Sequence, residues 1–190
     1  MHATHYGAVP RSVLEDYPPI DKPTRFPLRQ LWRTTGSLPR GPELTELSCP
    51  RRFLVLVDPG SGQIRAACER TLAQGRAALA EAMAPGALPT FGAIQAHSYV
   101  DPHSGEEMEP LVFVYVDAPR PQWQRLSEDL RSRGARMHEV EMQANRVVLR
   151  AQVALRRLLG FGGDALAATG GGVHVATWLV RYEPAATHGR

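Results

Sequence analysis

Arginines clustered on two successive predicted helices are the residues of this sequence best suited to binding chemistry. Every lysine or arginine position except Lys22 carries arginine, and the formal net charge is +3. The planar guanidinium binds phosphate and carboxylate groups through paired hydrogen bonds. The clusters are Arg131, Arg133 and Arg136, then Arg156 and Arg157. We expect them to contact phosphates or an acidic protein, although arginines near a helix end also complement the helix dipole and solubilise an exposed face.

The glycine run Gly170, Gly171 and Gly172 is the second candidate for binding chemistry. A phosphate cradle requires a strand, a glycine loop and then a helix, so that backbone amides converge on the anion. Here a predicted strand that carries His174 follows the glycines. We therefore predict a flexible turn and no nucleotide site, and we keep the three glycines and His174 as candidate partner-binding residues. His174 would lie beside that turn, and an ordinary surface or hydrogen-bonded histidine is the alternative.

Side chains that could ligate a metal are few. His97, Asp101 and His103 could hold zinc or iron if their loop folded back, but the turn-forming residues around them favour a solvated turn. Cys49 and Cys68 have no CxxC spacing. We therefore predict free structural thiols, with neither a disulfide nor a metal site.

Covalent catalysis has no recognisable signature in this sequence. It contains no G-x-S-x-G motif and no nucleophile with a base at motif spacing. We therefore predict a protein that is not an enzyme and has no cofactor. A small enzyme is a further alternative, because triads assemble in space, and it would show as a deep pocket with perturbed titratable groups.

The first 50 residues carry half of the chain's 16 prolines. Because proline fixes φ and lacks an amide donor, we predict a proline-rich extended arm over residues 1–50. It would dock through the apolar stretch around Leu28, Leu31 and Trp32. No apolar run approaches the roughly 18 residues of a membrane span, and no secretion signal is recognisable. We expect a cytoplasmic protein with no membrane partner.

Residues 51–108 are predicted to form a small β-α-β domain. The stretch "RFLVLV" is typical of a buried strand, and "DPGSG" is typical of a turn. A long helix is predicted over "IRAACERTLAQGRAALAEAM", with Ala73 and Leu79 in its apolar stripe. The stretch "FGAIQAHSYV" then alternates as a strand.

Residues 109–190 are predicted to form a second domain in the order strand, helix, strand, strand, helix, strand. The strand "LVFVYV" leads into the helix "PQWQRLSEDLRSRG", which Gly134 would cap. A hairpin of "ARMHEVEMQ" and "NRVVLRAQV" follows, then a short helix near "ALRRLLGF" and the strand "VHVATWLVRY". This order predicts an α+β protein whose second domain is ferredoxin-like.

This second domain resembles the C-terminal domain of elongation factor G and its relatives, the translocation and ribosome-protection GTPases. The resemblance rests on the Glu-Pro of "MEPLVFVYV", on "LRSRGARM", on "RVVLRAQVAL" and "LLGF", and on "ATGGGV" with "RYEP". Residues 51–108 resemble the penultimate domain of the same factors through "VLVDPGSGQI" and "EAMAPGALPTFGAIQAHSY". The resemblance implies binding to the ribosome or rRNA near the translation-factor site.

The sequence also departs from that family. It has no G-x-x-x-x-G-K-[ST] motif, so it cannot hydrolyse GTP in the way of a P-loop protein. The glycine-rich tip of the penultimate domain has no clear counterpart, and glycine stands where the family has arginine in "TQGRG". These departures favour a second hypothesis, a scaffold or homodimerising module that keeps the fold but has lost the ribosome. A separately encoded protein partner fits either hypothesis.

Overall fold

The computed structural model describes residues 26–34, 47–49, 52–58, 61–83 and 87–185. Its strands are β1 (Leu28–Arg33), β2 (Phe53–Asp58), β3 (Ser61–Ala66), β4 (Thr90–Ala96), β5 (Tyr99–Val100), β6 (Glu107–Pro119), β7 (Arg136–Met142), β8 (Arg146–Ala154) and β9 (His174–Pro184). Its helices are α1 (Glu69–Ala82), α2 (Trp123–Ser132), α3 (Leu155–Leu158) and α4 (Phe161–Ala168), with a 3-10 turn over Arg120–Gln122.

The first domain is a four-stranded antiparallel sheet in the order β2-β3-β1-β4, with α1 packed on one face. Leu72 and Leu79 of α1 are fully buried against Ile64 and Trp32. Ala73, which the helical stripe also included, is exposed. The apolar face of α1 is therefore narrower than its sequence indicates.

The predicted helix start at Ile64 is wrong, because residues 61–66 form β3 and α1 begins at Glu69. Buried Gly62 and Ile64 alternate with half-buried Gln63 and Arg65, and a period of two belongs to a strand. A Cβ at Gly62 would run into neighbouring core atoms. Gly62, which the sequence placed in the predicted turn, is therefore a strand residue packed closely against the core.

Part of the predicted proline-rich arm is a central strand. β1 lies between β3 and β4, and its Leu28 and Trp32 are buried, whereas Leu31 is 49% exposed on the other face. Prolines lack the amide that a central strand needs, and β1 lies in the proline-free stretch between Pro27 and Pro39. The rest of the arm lies outside the described residues.

The second domain is an antiparallel sheet in the order β9-β6-β8-β7, with β5 paired to the start of β6. Alternate residues of β6, among them Val114 and Val116, are fully buried with Leu126 and Leu130 of α2. Phe161 of α4 completes the same core. The predicted α+β class and ferredoxin-like second domain are confirmed.

The two domains share a hydrophobic contact. Leu28 of β1 belongs to the core cluster of the second domain, together with Leu155 and Leu158 of α3. Ile94 and Ala96 of β4 pack against the same cluster.

Within the described ranges, no helix is both long and apolar enough to cross a membrane.

Candidate functional site

Three arginines line a groove of about 320 Å³ at one end of the second sheet. Arg136 begins β7, Arg157 lies on α3, and Arg181 lies near the end of β9. We call this the arginine groove. Its apolar wall includes Leu111 and Pro184.

The arginine groove contains positive charge that internal ion pairs do not neutralise. Arg181 is 3.2 Å from Glu183. Among the described residues, neither Arg136 nor Arg157 forms an ion pair. Two guanidiniums are therefore available to an anion such as a phosphate.

Gly134 lies against the guanidinium of Arg157 in the arginine groove. It follows α2 with φ of 77°, and its amide donates to the carbonyl of Arg131 at 2.8 Å, as in a helix C-cap. A Cβ at this position would run into the guanidinium of Arg157. The glycine cap therefore both ends the helix and leaves room for the arginine.

Arg133, although predicted to bind a partner, is occupied within the protein. Its guanidinium makes ion pairs with Asp129 at 2.9 Å and Asp164 at 2.8 Å. It also donates to the carbonyls of Arg157 and Leu159, both at 3.2 Å. Arg133 therefore joins α2 to the segment from α3 to α4.

Arg156 is also engaged internally, because its Nε lies 2.7 Å from the buried carboxylate of Glu109. Arg131 is exposed in the last turn of α2 and forms no ion pair among the described residues. The structure therefore divides the five predicted arginines by role. Arg133 and Arg156 are engaged internally, and Arg136 and Arg157 line the groove. Arg131 is exposed outside the groove and has no ion pair among the described residues.

The glycine turn lies at the opposite end of the sheet. Gly170 and Gly171 have positive φ, and the carbonyl of Gly172 accepts a hydrogen bond from Arg146 at 3.1 Å. His174 pairs in register with Asp117. Asp117 lies eight positions along β6 from Glu109 at the groove, roughly 26 Å at the usual rise per residue. The predicted residues therefore belong to two separate surfaces.

Arg181 lines the groove but is not among the residues that the sequence predicts for binding. It belongs to the "RYEP" stretch, and its register opposite Leu111 brings it to the groove. A strand register derived from the pairing of that stretch with "EPL" would have found it, because cross-strand partners share a face.

The residues considered as metal ligands have separate roles in the structure. Asp101 accepts hydrogen bonds from the Ser104 hydroxyl at 2.9 Å and from the amide of His103 at 3.3 Å. These bonds lower the pKa of the Asp101 carboxyl, first through Ser104 and then through His103. His97 is buried. In the described part of the chain no cluster of three or more His, Cys, Asp or Glu is arranged to hold a metal.

Comparison with known proteins supports the assignment of the second domain. Residues 106–189 match a family model described as elongation factor G C-terminus. No curated protein matches the chain. The family match does not include residues 51–105, so the resemblance of the first domain to the penultimate domain stays a prediction.

A crystal structure of a protein from Thermus thermophilus has a similar fold, with a TM-score of 0.53 and 14% sequence identity. The similarity covers 96% of this chain and 44% of that protein, so the chain spans less than half of its length. At this level of identity the likeness shows the fold alone.

Proposed function

We propose that this chain, whose residues 106–189 match the family model of the elongation factor G C-terminus, is a translation-factor-like module that binds the ribosome or rRNA without catalysing a reaction. The family match is the observation that carries the proposal. The binding would occur near the translation-factor site, in the cytoplasm, through occupancy and shape complementarity.

The arginine groove is the surface that we propose for rRNA phosphates. Arg136 and Arg157 form no ion pair among the described residues, so a phosphate would not have to displace a carboxylate from them. Arg181, already beside Glu183, would add a weaker attraction. Phosphate contacts release counterions, so this mode of binding predicts a strong dependence on salt.

Co-sedimentation with ribosomes and separated subunits across a salt series tests the proposal. We expect an Arg136→Gln, Arg157→Gln variant to bind more weakly and to lower the salt slope by about 2. An Arg120→Gln, Arg125→Gln variant removes the same charge from exposed positions outside the groove. Equal losses in both variants would contradict a specific role for the groove, and no binding at low salt would contradict the function itself.

The alternative function, a homodimerising or scaffold module, is favoured by the edge strand β9. Among the described elements β9 pairs only with β6, and its stretch from Val175 to Val180 carries no charge. An uncharged edge strand can pair with a strand of another chain. A concentration-independent monomeric mass in light scattering would exclude the homodimer.

A further inference from the structure

Four side chains form a row across the second sheet, on the face opposite its helices. Trp178 of β9, Phe113 of β6, Gln152 of β8 and Arg136 of β7 are successive register partners. Phe113 comes directly before Val114, which is buried in the core beneath the helices. Because successive residues of a strand point to opposite faces, the row lies on the other side of the sheet, which we call the outer face. Arg136 and Gln152 of this row also line the arginine groove.

Three rings stack on the outer face. The Phe113 ring stacks with that of Trp178 at a centroid distance of 5.0 Å and an interplanar angle of 25°, and with that of His138 at 6.0 Å and 28°. Phe113 is only 5% exposed, whereas His138 is exposed and Trp178 is half-buried. We call these three residues the ring stack. Solvent therefore reaches the stack at His138 and Trp178.

Positive charge lies beside the ring stack. Arg136 is exposed and lies two positions before His138 on the same strand. Arg157, which is also exposed, lines the same groove as Arg136. Among the described residues neither arginine forms an ion pair. An anion can therefore reach both guanidiniums from solvent.

The acidic side chains that line the groove or follow Arg136 on β7 are paired with other arginines. The pairs are Glu109 with Arg156 at 2.7 Å, Glu183 with Arg181 at 3.2 Å, and Glu139 and Glu141 with Arg150 at 2.7 and 3.1 Å. Their charges are therefore largely balanced within the protein, and the surplus charge at this end of the outer face is positive.

The first domain contacts the second on its helix side. Leu28, Ile94 and Ala96 pack against the core cluster that contains Leu155 of α3. The outer face is therefore open where the ring stack and the arginine groove meet, as the exposure of His138 shows.

Exposed rings and free guanidiniums on one sheet face are the two parts that binding of single-stranded RNA requires. Unpaired bases stack on aromatic and histidine rings, and four-stranded sheets are a common support for such rings. Guanidiniums bind the phosphates of the backbone between those bases. In duplex RNA the bases are already paired and stacked on one another, so they are not available to the rings.

We propose that the arginine groove and the ring stack together bind single-stranded RNA. A backbone phosphate lies at Arg136 and Arg157, and unpaired bases extend the ring stack at His138 and Trp178. This inference rests on the proposed function, because it uses the same groove, and it narrows the ligand to RNA whose bases are unpaired.

Fluorescence anisotropy of the full chain with a labelled RNA of about ten nucleotides tests the site. The same RNA is measured as a single strand and as a blunt duplex. We expect the single strand to bind about tenfold more tightly or better, because only its bases reach the rings. His138→Ala should weaken binding of the single strand by about fivefold or more and leave duplex binding unchanged. His103→Ala, in an exposed turn, is the matched control and should bind as the unchanged protein does.

Tryptophan emission gives a second readout at the other end of the ring stack. Single-stranded RNA should quench the emission of Trp178, because a stacked base lies on its ring. Trp32 is buried in the first domain and Trp123 lies on α2. The quenching should therefore disappear in Trp178→Phe, which keeps an aromatic ring in place and should retain most of the affinity. Equal thermal midpoints of the variants and the unchanged protein confirm that they are folded.

The outcomes separate this inference from ribosome binding. Equal affinity for single-stranded and duplex RNA, or unchanged binding by folded His138→Ala, would overturn the inference and leave a ribosomal function through phosphate contacts in place. Binding to single-stranded RNA that depends on His138, without co-sedimentation with ribosomes, would support the inference and contradict the ribosomal function. Quenching that persists in Trp178→Phe would overturn the stacking at that ring.

Discussion

The guanidinium of Arg156 lies 2.7 Å from the carboxylate of Glu109, whose side chain is only 7% exposed. This ion pair ties α3 to the start of β6, where Glu109 precedes Pro110. A buried carboxylate requires a cation or several donors. The neighbouring Arg157 is exposed and lines the arginine groove instead. Two adjacent arginines of one short helix therefore have different roles, one in stability and one available for binding.

Replacing Arg156 by alanine should lower the free energy of unfolding by about 2 to 3 kcal/mol, because it leaves Glu109 buried without a cation. Arg157→Ala is the matched control and should change it by less than about 0.5 kcal/mol. Urea unfolding at neutral pH measures both. Equal effects of the two substitutions would contradict the structural role assigned to Arg156.

Arg133 and Arg131, at the C-terminal end of α2, provide a second matched pair. Arg133→Gln removes the ion pairs with Asp129 and Asp164 and the contact of the guanidinium with the Phe161 ring, 5.4 Å from its centroid. We expect a loss of about 2 kcal/mol in the free energy of unfolding, since several charge-assisted hydrogen bonds disappear together. Arg131→Gln should be neutral within about 0.5 kcal/mol. If Arg133→Gln unfolds at the same urea concentration as the unchanged protein, Arg133 does not hold the helices together.

The second domain could be predicted well because its local signals agree with one another. β6 alternates buried and less buried residues from Val114 to Ala118, and Gly134 stands where a helix must stop. Each signal is short-range and points to the same element.

The first domain was harder to predict, since its signals conflict. β3 contains Gly62 and ends shortly before the helix-forming run of α1, so the helical pattern extended backwards over Ile64. β1 stands among prolines whose local preference is for an extended arm, and only its pairing with β3 and β4 makes it a central strand. In both cases pairing with other strands makes the segment a strand, and local sequence propensity does not encode that pairing.

The candidate site could be predicted only in part, because sequence gives the residue type but not its partners. Arg136 and Arg133 are three positions apart, yet the first lines the groove and the second bonds to Asp129 and Asp164. Asp164 lies 31 residues from Arg133 in the chain. Part of what holds Arg133 within the protein is therefore a long-range contact that its local sequence does not indicate.

Gly134→Ala should destabilise the protein and disturb the arginine groove. The residue has φ of 77°, and a Cβ there would run into the Arg157 guanidinium. We expect a loss of about 1 to 2 kcal/mol, because alanine is strained in the left-handed region. Gly163→Ala in α4 is the control, since it has open space around its Cβ and no positive φ. It should be neutral or stabilise by up to about 1 kcal/mol, and an equal loss at both positions in thermal unfolding would contradict the strain.

Acid should destabilise the joint between the domains through His97. The pKa of this imidazole is lowered to about 4 from its ordinary value of 6.5, first by burial and then by the charges of Arg65 and Arg29. Between these two values the unfolded chain binds a proton that the folded chain does not. The contribution of the neutral His97 imidazole to the free energy of unfolding is therefore complete above about pH 6.5. This contribution is lost as the pH falls towards 4, by roughly 2 kcal/mol after allowance for solvent screening. Urea unfolding from pH 7.5 to 4.5 should show this decline in the unchanged protein and in His103→Gln, whose histidine lies in an exposed turn. His97→Gln should remove this part of the decline, and a decline of the same size in that variant would show that another group is responsible.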